Sequence, residues 1–504
     1  MAHSTHASEK PAAPPGQRHG WTSTFWASRR SSFLGPLFGL ALTCLVVFVA
    51  NLSYMYGSMF RSPQRVHRLK ILALDYDGGV VGEAMSAAYG SLEGDEFPTF
   101  EFRSTDGYRG EHEIREAICK EGYWGAIWAD AGATARLEEA VNGTGDDGGG
   151  GGGGGGYDST SAIGCMYSGV YYPIVASSYV QSSLLSLISA AGTSVYGVPG
   201  SETLFRHANL SSASSSAAFL NPISSGGSGA GCTVLAPTNQ GMKALLNTAT
   251  MVAGPLMQFF FCMGMNSMSG GAGVLSHMRI RDVYVLRLAL SKAYAFLGGL
   301  CIAGCVWAFR EDWSLAHGDK FALTWLCYWF YLDINYLVVD TVLVTIIPLA
   351  FFSFSIFTWI FVGITSSIWP FELSAGFYRW QYALPSHDVW ILLTGVWSGG
   401  CRTQEEVTLP VLFAWWFVGH ATSAWSVWRR CRMSEGAEEQ GIRSSTAAAR
   451  TSRAGGDTDG GEGEHLPRKE EGKVVDSMGD VTPDDTTRRA SMEREEDNTD
   501  HSPV

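Results

Sequence analysis

Charge is scarce in this chain of 504 residues: Asp, Glu, Lys and Arg together make up 16%, against 46% hydrophobic. The formal net charge is −13, an acidic balance that offers nucleic acid no attraction, so no nucleic-acid partner is expected. Much of the acid lies after Met433, in Glu435, Glu438, Glu439, Glu470, Glu471, Asp484, Asp485, Glu493, Glu495, Glu496 and Asp497. That stretch is short of aromatic and β-branched residues and cannot bury a core, so residues 429–504 read as an acidic disordered tail.

Catalytic signatures are missing too. No Gly-x-x-x-x-Gly-Lys-Ser/Thr loop occurs, which excludes a P-loop motor, and no Gly-x-Ser-x-Gly turn presents a nucleophile. His112-Glu113 begins like a zinc-protease helix, but the position of the required second histidine is Glu116. No Cys-x-x-Cys or Cys/His spacing suggests zinc. The glycine run Gly148 to Gly156 matches a nucleotide loop trivially, yet no strand with the proper spacing precedes it. No catalytic, cofactor-binding or metal residue is assigned, and the chain is expected not to be an enzyme.

What is present is apolar length. A spanning helix needs about 20 apolar residues to cross roughly 30 Å of hydrocarbon. The segment 33–56 meets that with Arg29 and Arg30 in front of it, and it is too long for a signal-peptide core, so it reads as a retained anchor behind a disordered leader, 1–32. Further apolar segments at about 245–268, 286–309, 321–344, 346–369 and 409–428 bring the expected spans to six. An even pass count puts Arg29-Arg30, the basic stretch His277 to Arg287 and Arg429-Arg430-Cys-Arg432 on one face, which the positive-inside rule makes cytosolic together with both termini. The stretch 321–369 must turn within about Thr345 to Pro348, a helical hairpin with Pro348 suited to the first turn of the second helix. Residues 385–397 are apolar for too short a distance to cross and suit a re-entrant or interfacial element.

Between the first and second spans, 57–244 alternates short apolar runs with helical stretches. Strands are expected at Leu69–Asp75, Thr99–Arg103 and Trp124–Ala129, and helices at Gly82–Leu92, Glu111–Glu121 and Thr134–Val141. The fold class is therefore a multi-pass α-helical membrane protein with an inserted extracytoplasmic α/β domain whose sheet is largely parallel. The Ser/Ala/Leu segment Tyr171 to Val195 has spanning length, but its many serines favour a soluble helix. The glycine run and the Ser/Gly stretch Ser211 to Gly231 read as flexible insertions.

Asn142-Gly-Thr144 and Asn209-Leu-Ser211 are acceptor sequons in the region placed outside. Cys44, Cys262, Cys301, Cys305 and Cys327 lie within spans, whereas Cys119, Cys165, Cys232 and Cys401 face an oxidising compartment as candidate disulfide partners, with three pairings open. Asp333 and Asp340 sit inside the fourth expected span on nearly one helix face, and intramembrane carboxylates are functional candidates for a polar cavity or proton relay. The plainer reading is that they pair with a hydroxyl, Lys292 or a neighbouring backbone and so fix helix packing, with no other basic residue evident at mid-depth. Lys292, placed near the cytosolic end of its span, can also snorkel. Asp75 and Asp77, at the end of the first strand, read as turn formers. Arg488-Arg-Ala-Ser491 has the form of a basophilic kinase site, with Ser491 as acceptor.

The segment Trp369-Pro-Phe-Glu-Leu-Ser-Ala-Gly-Phe-Tyr-Arg-Trp-Gln-Tyr-Ala-Leu-Pro-Ser-His387, followed by Val396-Trp-Ser-Gly-Gly-Cys401 and Leu409-Pro-Val-Leu-Phe-Ala-Trp-Trp416, resembles the fungal nitrosoguanidine-resistance membrane family, of the DUF3533 type. The layout of one span, an external domain and a C-terminal cluster of spans, about Ser31 to Arg432, is similar to that family as well. The resemblance implies a membrane protein linked to resistance to toxic compounds and to lipid organisation, distantly similar to the membrane half of ABC-2 type exporters without an ATPase. Implied partners are membrane lipids, a small toxic compound or lipid substrate, and a second copy or partner membrane protein. It carries over no catalytic residues, and Phe377, Tyr378, Arg379 and Trp380 are simply the matching motif, suited to anchoring at a membrane edge. An alternative is a membrane-anchored adaptor whose external domain binds a partner.

Overall fold

The structure, a computed structural model, describes residue 24 and residues 30–143, 157–225, 232–236, 246–310, 318–348 and 351–454. The chain forms two compact units, Met1–Gln440 and Gly441–Val504; of the second, the described part is the helical stretch that ends at Ala454. Ser491, the whole glycine run Gly148 to Gly156 and most of the leader lie outside the described residues.

After a long N-terminal helix, α1 (Arg30–Met59), the chain builds an α/β domain. Its elements are β1 (Lys70–Asp75), α2 (Val80–Leu92), β2 (Thr99–Arg103), α3 (Glu111–Lys120), β3 (Gly125–Ala129), α4 (Ala133–Asn142), β4 (Ile163–Ser168), α5 (Ser182–Ser194), α6 (Ala213–Leu220) and β5 (Cys232–Leu235). The strand order is β2-β1-β3-β4-β5, parallel throughout except that β3 and β4 run antiparallel. Both faces of β1 are covered, so its apolar run is nearly continuous, as expected of a buried parallel strand. Ile71 and Ala73 pack with Val81, Met85 and Ile188 on one side, while Leu72 and Leu74 pack with Ile114 and Ile118 on the other.

The segment Pro173–Ser194, which includes a π-helical turn before α5, is apolar and long enough to cross a membrane. It packs instead against α2 with Leu184, Leu187, Ile188 and Ala191 fully buried, and most of its exposed positions are serines. Tertiary burial of one stripe thus absorbs a hydropathy that composition alone would assign to lipid.

The remaining helices are α7 (Ala249–Gly271), α8 (Ile280–Ala308), α9 (Gly318–Val338, continued by a π-helical stretch Val339–Ile346), α10 (Phe352–Ile368), α11 (Pro385–Ser398) and α12 (Glu405–Ala454). Among the described residues, the helices long and apolar enough to cross a membrane, besides Pro173–Ser194, are Arg30–Met59, Ile280–Ala308, Gly318–Val342 and Glu405–Ala447; Phe352–Ile368 is apolar but shorter. The architecture is therefore mostly helical, with several membrane-length apolar helices and one small sheet. Apolar faces stand open along α1, where Phe38 is 72% exposed and Leu45 63%, the pattern of a helix solvated by hydrocarbon. That helix leans on α10 through Phe48 and Phe357, whose rings are 4.3 Å apart, and through Asn51, which donates to Thr358 Oγ1 at 3.1 Å.

Two expectations need correction. Pro348 is not in the first turn of α10; it lies in the connection, its carbonyl accepting from Phe351 N at 2.9 Å, and the helix begins at Phe352. The turn that follows α9 is entered through the π-helical stretch, which lengthens the helix beyond the expected end. Lys292, in turn, does not sit at the end of its helix. It is about 18 Å along α8 from Ile280, too deep for its ammonium to reach the helix end.

Glycine sets the spacing of α8 and α9. A Cβ at Gly299 would lie 2.7 Å from the backbone nitrogen of Trp329, so the two backbones approach as closely as only a small residue permits. The short helix α11 lies under the sheet domain: Trp390 touches Tyr172 at 6.1 Å between ring centroids, and Trp397 Nε1 donates to Thr324 Oγ1 at 3.0 Å near the start of α9.

Candidate functional site: paired charges beneath an apolar cavity

Thr324 marks the end of α9 nearest the sheet domain. Asp340 lies about 24 Å further along, at the far end of the bundle, and Asp333 lies between. Both carboxylates face the groove between α8 and α12, as their spacing on one helix face requires.

Asp340, fully buried, is held by two arginines. Arg287 of α8 donates to Oδ1 at 2.7 Å, and Arg430 of α12 donates from Nη2 to Oδ1 and Oδ2 at 2.8 and 2.9 Å. Asn266 of α7 accepts from both guanidinium groups, at 2.8 and 3.0 Å, and Ser423 donates to Oδ2 at 3.4 Å. Within the π-helical stretch, the Asp340 carbonyl also accepts hydroxyls from Ser426 and Thr345 at 3.2 Å each. Helices α7, α8, α9 and α12 therefore meet at one carboxylate, an arrangement suited to fixing helix order.

Asp333, 2% exposed, makes a different set of contacts. Lys292 forms a short ion pair with Oδ2, and Trp416 Nε1 donates to the same oxygen at 2.8 Å. The Lys292 ammonium also lies 4.9 Å from the Trp416 ring centroid and 3.1 Å from His420 Nε2. Oδ1 of Asp333 is buried without a hydrogen-bond partner among the described residues. Asp333 thus takes Lys292, the partner that the packing reading allows, whereas Asp340 takes Arg287 and Arg430, which corrects the expectation that no further basic residue reaches the carboxylates.

Above this pair opens a cavity of about 460 Å³ between α9 and α12, roofed by α11. Leu323, Leu326, Phe330, Leu412 and Phe413 supply walls, and Lys292, Asp333 and Trp416 lie at one end. A hydrophobic chamber with a single polar corner is the usual form of a small-molecule site.

Outside the bundle, the structure pairs Cys119 with Cys401 and Cys165 with Cys232, each with Cα atoms 4.4 Å apart. The first bridge ties α3 to the loop between α11 and α12. Arg402 adds to it: its N donates to Cys119 O at 3.0 Å, its Nη2 to Gly122 O at 2.8 Å, and its guanidinium stacks 4.2 Å from the Tyr171 ring centroid. In the motif 377–380, Tyr378 donates to Tyr54 O at 2.9 Å, linking the segment to α1, while Phe377, Arg379 and Trp380 are exposed. Asn209 is exposed and accepts from Ser211 N at 3.3 Å, whereas Asn142 closes α4 with Oδ1 buried.

Asp75 and Asp77 do turn work. Asp75 Oδ1 accepts from Asp77 N and Gly78 N at 3.0 and 2.9 Å, and Asp77 Oδ1 caps α4 through Thr134 N at 2.9 Å. Beside them, at the carboxyl ends of β1 and β3, lies a polar cleft of about 550 Å³ lined by Tyr76, Arg109, Trp128, Asp130 and Asp158. Strands β1 and β3 are where the order of the parallel sheet reverses, the position at which α/β sheets take ligands.

The residues missed in the sequence were Arg287, Arg430, Asn266, Trp416 and His420. A signal existed in Trp416 and His420, one helical turn apart and both polar at an edge, within an otherwise apolar segment.

The family described as Protein of unknown function (DUF3533) matches residues 40–421, and the chain belongs to that family. No curated protein matches it, and no solved structure does.

Proposed function

We propose that this chain is a six-pass membrane protein, with both termini cytosolic and its α/β domain outside, that acts as a transporter or as a regulator of transport or lipid organisation linked to resistance to toxic compounds. The observation that carries the reading is the apolar cavity of about 460 Å³ ending on the Lys292–Asp333 pair. A structural anchor needs no charge pair at the base of an apolar cavity, and such a pair is costly to keep away from water. The counted spans are α1, α7, α8, α9, α10 and α12, and α11 lies at the outer interface. With no P-loop in the sequence, flux would draw on a gradient or a partner ATPase.

The test is reconstitution of the purified full chain in vesicles and measurement of the efflux of amphiphilic compounds, with Leu412→Trp as the blocked control. Flux in the wild type that is lost in the blocked variant supports transport; equal behaviour of the two removes it. The topology is tested separately, by glycan attachment at Asn209 and protease access to the tail beyond Met433.

The adaptor reading is favoured by one observation, the polar cleft at the sheet's switch point. Replacing Arg109 and Asp130 by Ala on its rim leaves the bundle intact. Loss of resistance in that variant with flux preserved would favour the adaptor.

A further inference from the structure

We infer that the cavity between α9 and α12 is a site for lipophilic cations, and that Lys292 is its built-in competitor. The corner of the chamber has the chemistry that recognises an ammonium or other organic cation: a buried carboxylate beside an aromatic face. Asp333 supplies the first and Trp416 the second, and the Lys292 ammonium occupies both, paired with Oδ2 and 4.9 Å from the ring centroid. Lysine is the more accessible partner, its side chain 27% exposed against 2% for Asp333. Its flexible stem can swing the ammonium off Oδ2 toward His420 Nε2, 3.1 Å away, while the carboxylate stays behind.

Asp333 also has an oxygen with no partner, so the corner carries more acceptor capacity than Lys292 and Trp416 use. The chamber above is walled by Leu323, Leu326, Phe330, Leu412 and Phe413, which suits a bulky apolar body attached to the cation. An anion of the same size would meet the unpartnered carboxylate oxygen, and a neutral guest would gain nothing by displacing lysine. His420, on the far side of Lys292, accepts the ammonium at 3.1 Å and offers no competing negative charge. Because a guest must first free the carboxylate, its apparent affinity is lowered by the fraction of time that Lys292 is withdrawn.

This inference rests on the reading of the cavity as the working site, and binding is measured apart from transport. The probes are tetraphenylphosphonium and tetraphenylborate, ions of nearly one shape and opposite sign, presented to the purified full chain in a nonionic detergent. The wild type should bind the phosphonium in preference, and Leu412→Trp, which fills the chamber, should lose it. Lys292→Met should tighten phosphonium binding by about tenfold, since the competitor is gone, and Asp333→Asn should weaken it by at least about as much. A gain in Lys292→Met cannot come from misfolding. Equal or tighter binding of the borate by the wild type overturns the inference without recourse to any variant, as does phosphonium binding that survives in a monodisperse Asp333→Asn. Cation binding without flux in vesicles would leave the inference standing and remove transport; flux of neutral amphiphiles without cation binding would do the reverse.

Discussion

Arg430 grips Asp340 with one nitrogen on both carboxylate oxygens, at 2.8 and 2.9 Å, while Arg287 reaches the same carboxylate at 2.7 Å. Removing the carboxylate strands two guanidinium groups in the bundle. Asp340→Asn should therefore cost on the order of 3–5 kcal/mol and lower the melting temperature of the detergent-solubilised protein. The triple change Asp340→Leu, Arg287→Met, Arg430→Met should recover most of that loss. A melting temperature unchanged in Asp340→Asn would show that the cluster does not hold the helices. Loss of activity in this variant reads as loss of structure, unlike Asp333→Asn.

The bridge from Cys119 to Cys401 joins positions 282 residues apart. Replacing both cysteines by serine should destabilise the sheet domain by about 2–4 kcal/mol, with part of the docking kept by Arg402 on Tyr171. Thermal unfolding of the wild type with and without reductant is the check. The double variant should be insensitive to reductant in that bridge, and identical curves for all samples would contradict the role.

Glu101 gives the sheet domain an acid limit. Hydrogen bonds from Lys70, at 2.7 Å, and from Arg103, at 2.8 Å, lower its carboxyl to about 2. An unfolded glutamate titrates near about 4.3, so the folded group is the stronger acid. Its stabilising contribution is present above that value and is lost as pH falls toward about 2. Unfolding monitored at stepwise pH should show the wild type weakening over that window relative to Glu101→Gln, and parallel profiles would refute the assignment.

Gly299→Val should separate α8 from α9, because the added carbon falls 2.7 Å from a backbone nitrogen that cannot turn aside. A bulky residue forced into packed helices typically costs about 1–3 kcal/mol. Reduced yield of monodisperse protein is the expected result, whereas Gly304→Val, at a position with nothing within 4 Å, should behave as wild type.

Much of this architecture was readable before any coordinates. The run from Leu69 to Asp75 is too short for a helix and too apolar for a surface, so it read as a buried strand and forms one. The serines of Pro173–Ser194 likewise separated a soluble helix from a span of equal hydropathy. Strands β4 and β5 were not legible: Gly164, Cys165 and Ser168 lack strand propensity, and Cys232–Leu235 is short and stands beside a Ser/Gly tract. At the candidate site, Asp333 and Asp340 were visible because carboxylates are rare in apolar helices. Lys292 was a visible partner for the same reason, but Arg287 and Arg430 were not, because they lie in basic stretches that orientation rules already explain. Only the three-dimensional meeting of α8, α9 and α12 turns those charges inward.

The Cys119–Cys401 link also orders the birth of the protein. A ribosome releases Cys119 long before it reaches Cys401, so the early thiol must wait, reduced or mispaired, while every helix between them is made. Final sealing of the sheet domain is consequently a late event, and chains truncated ahead of Cys401 would leave the ribosome with the Cys119 thiol lacking its partner.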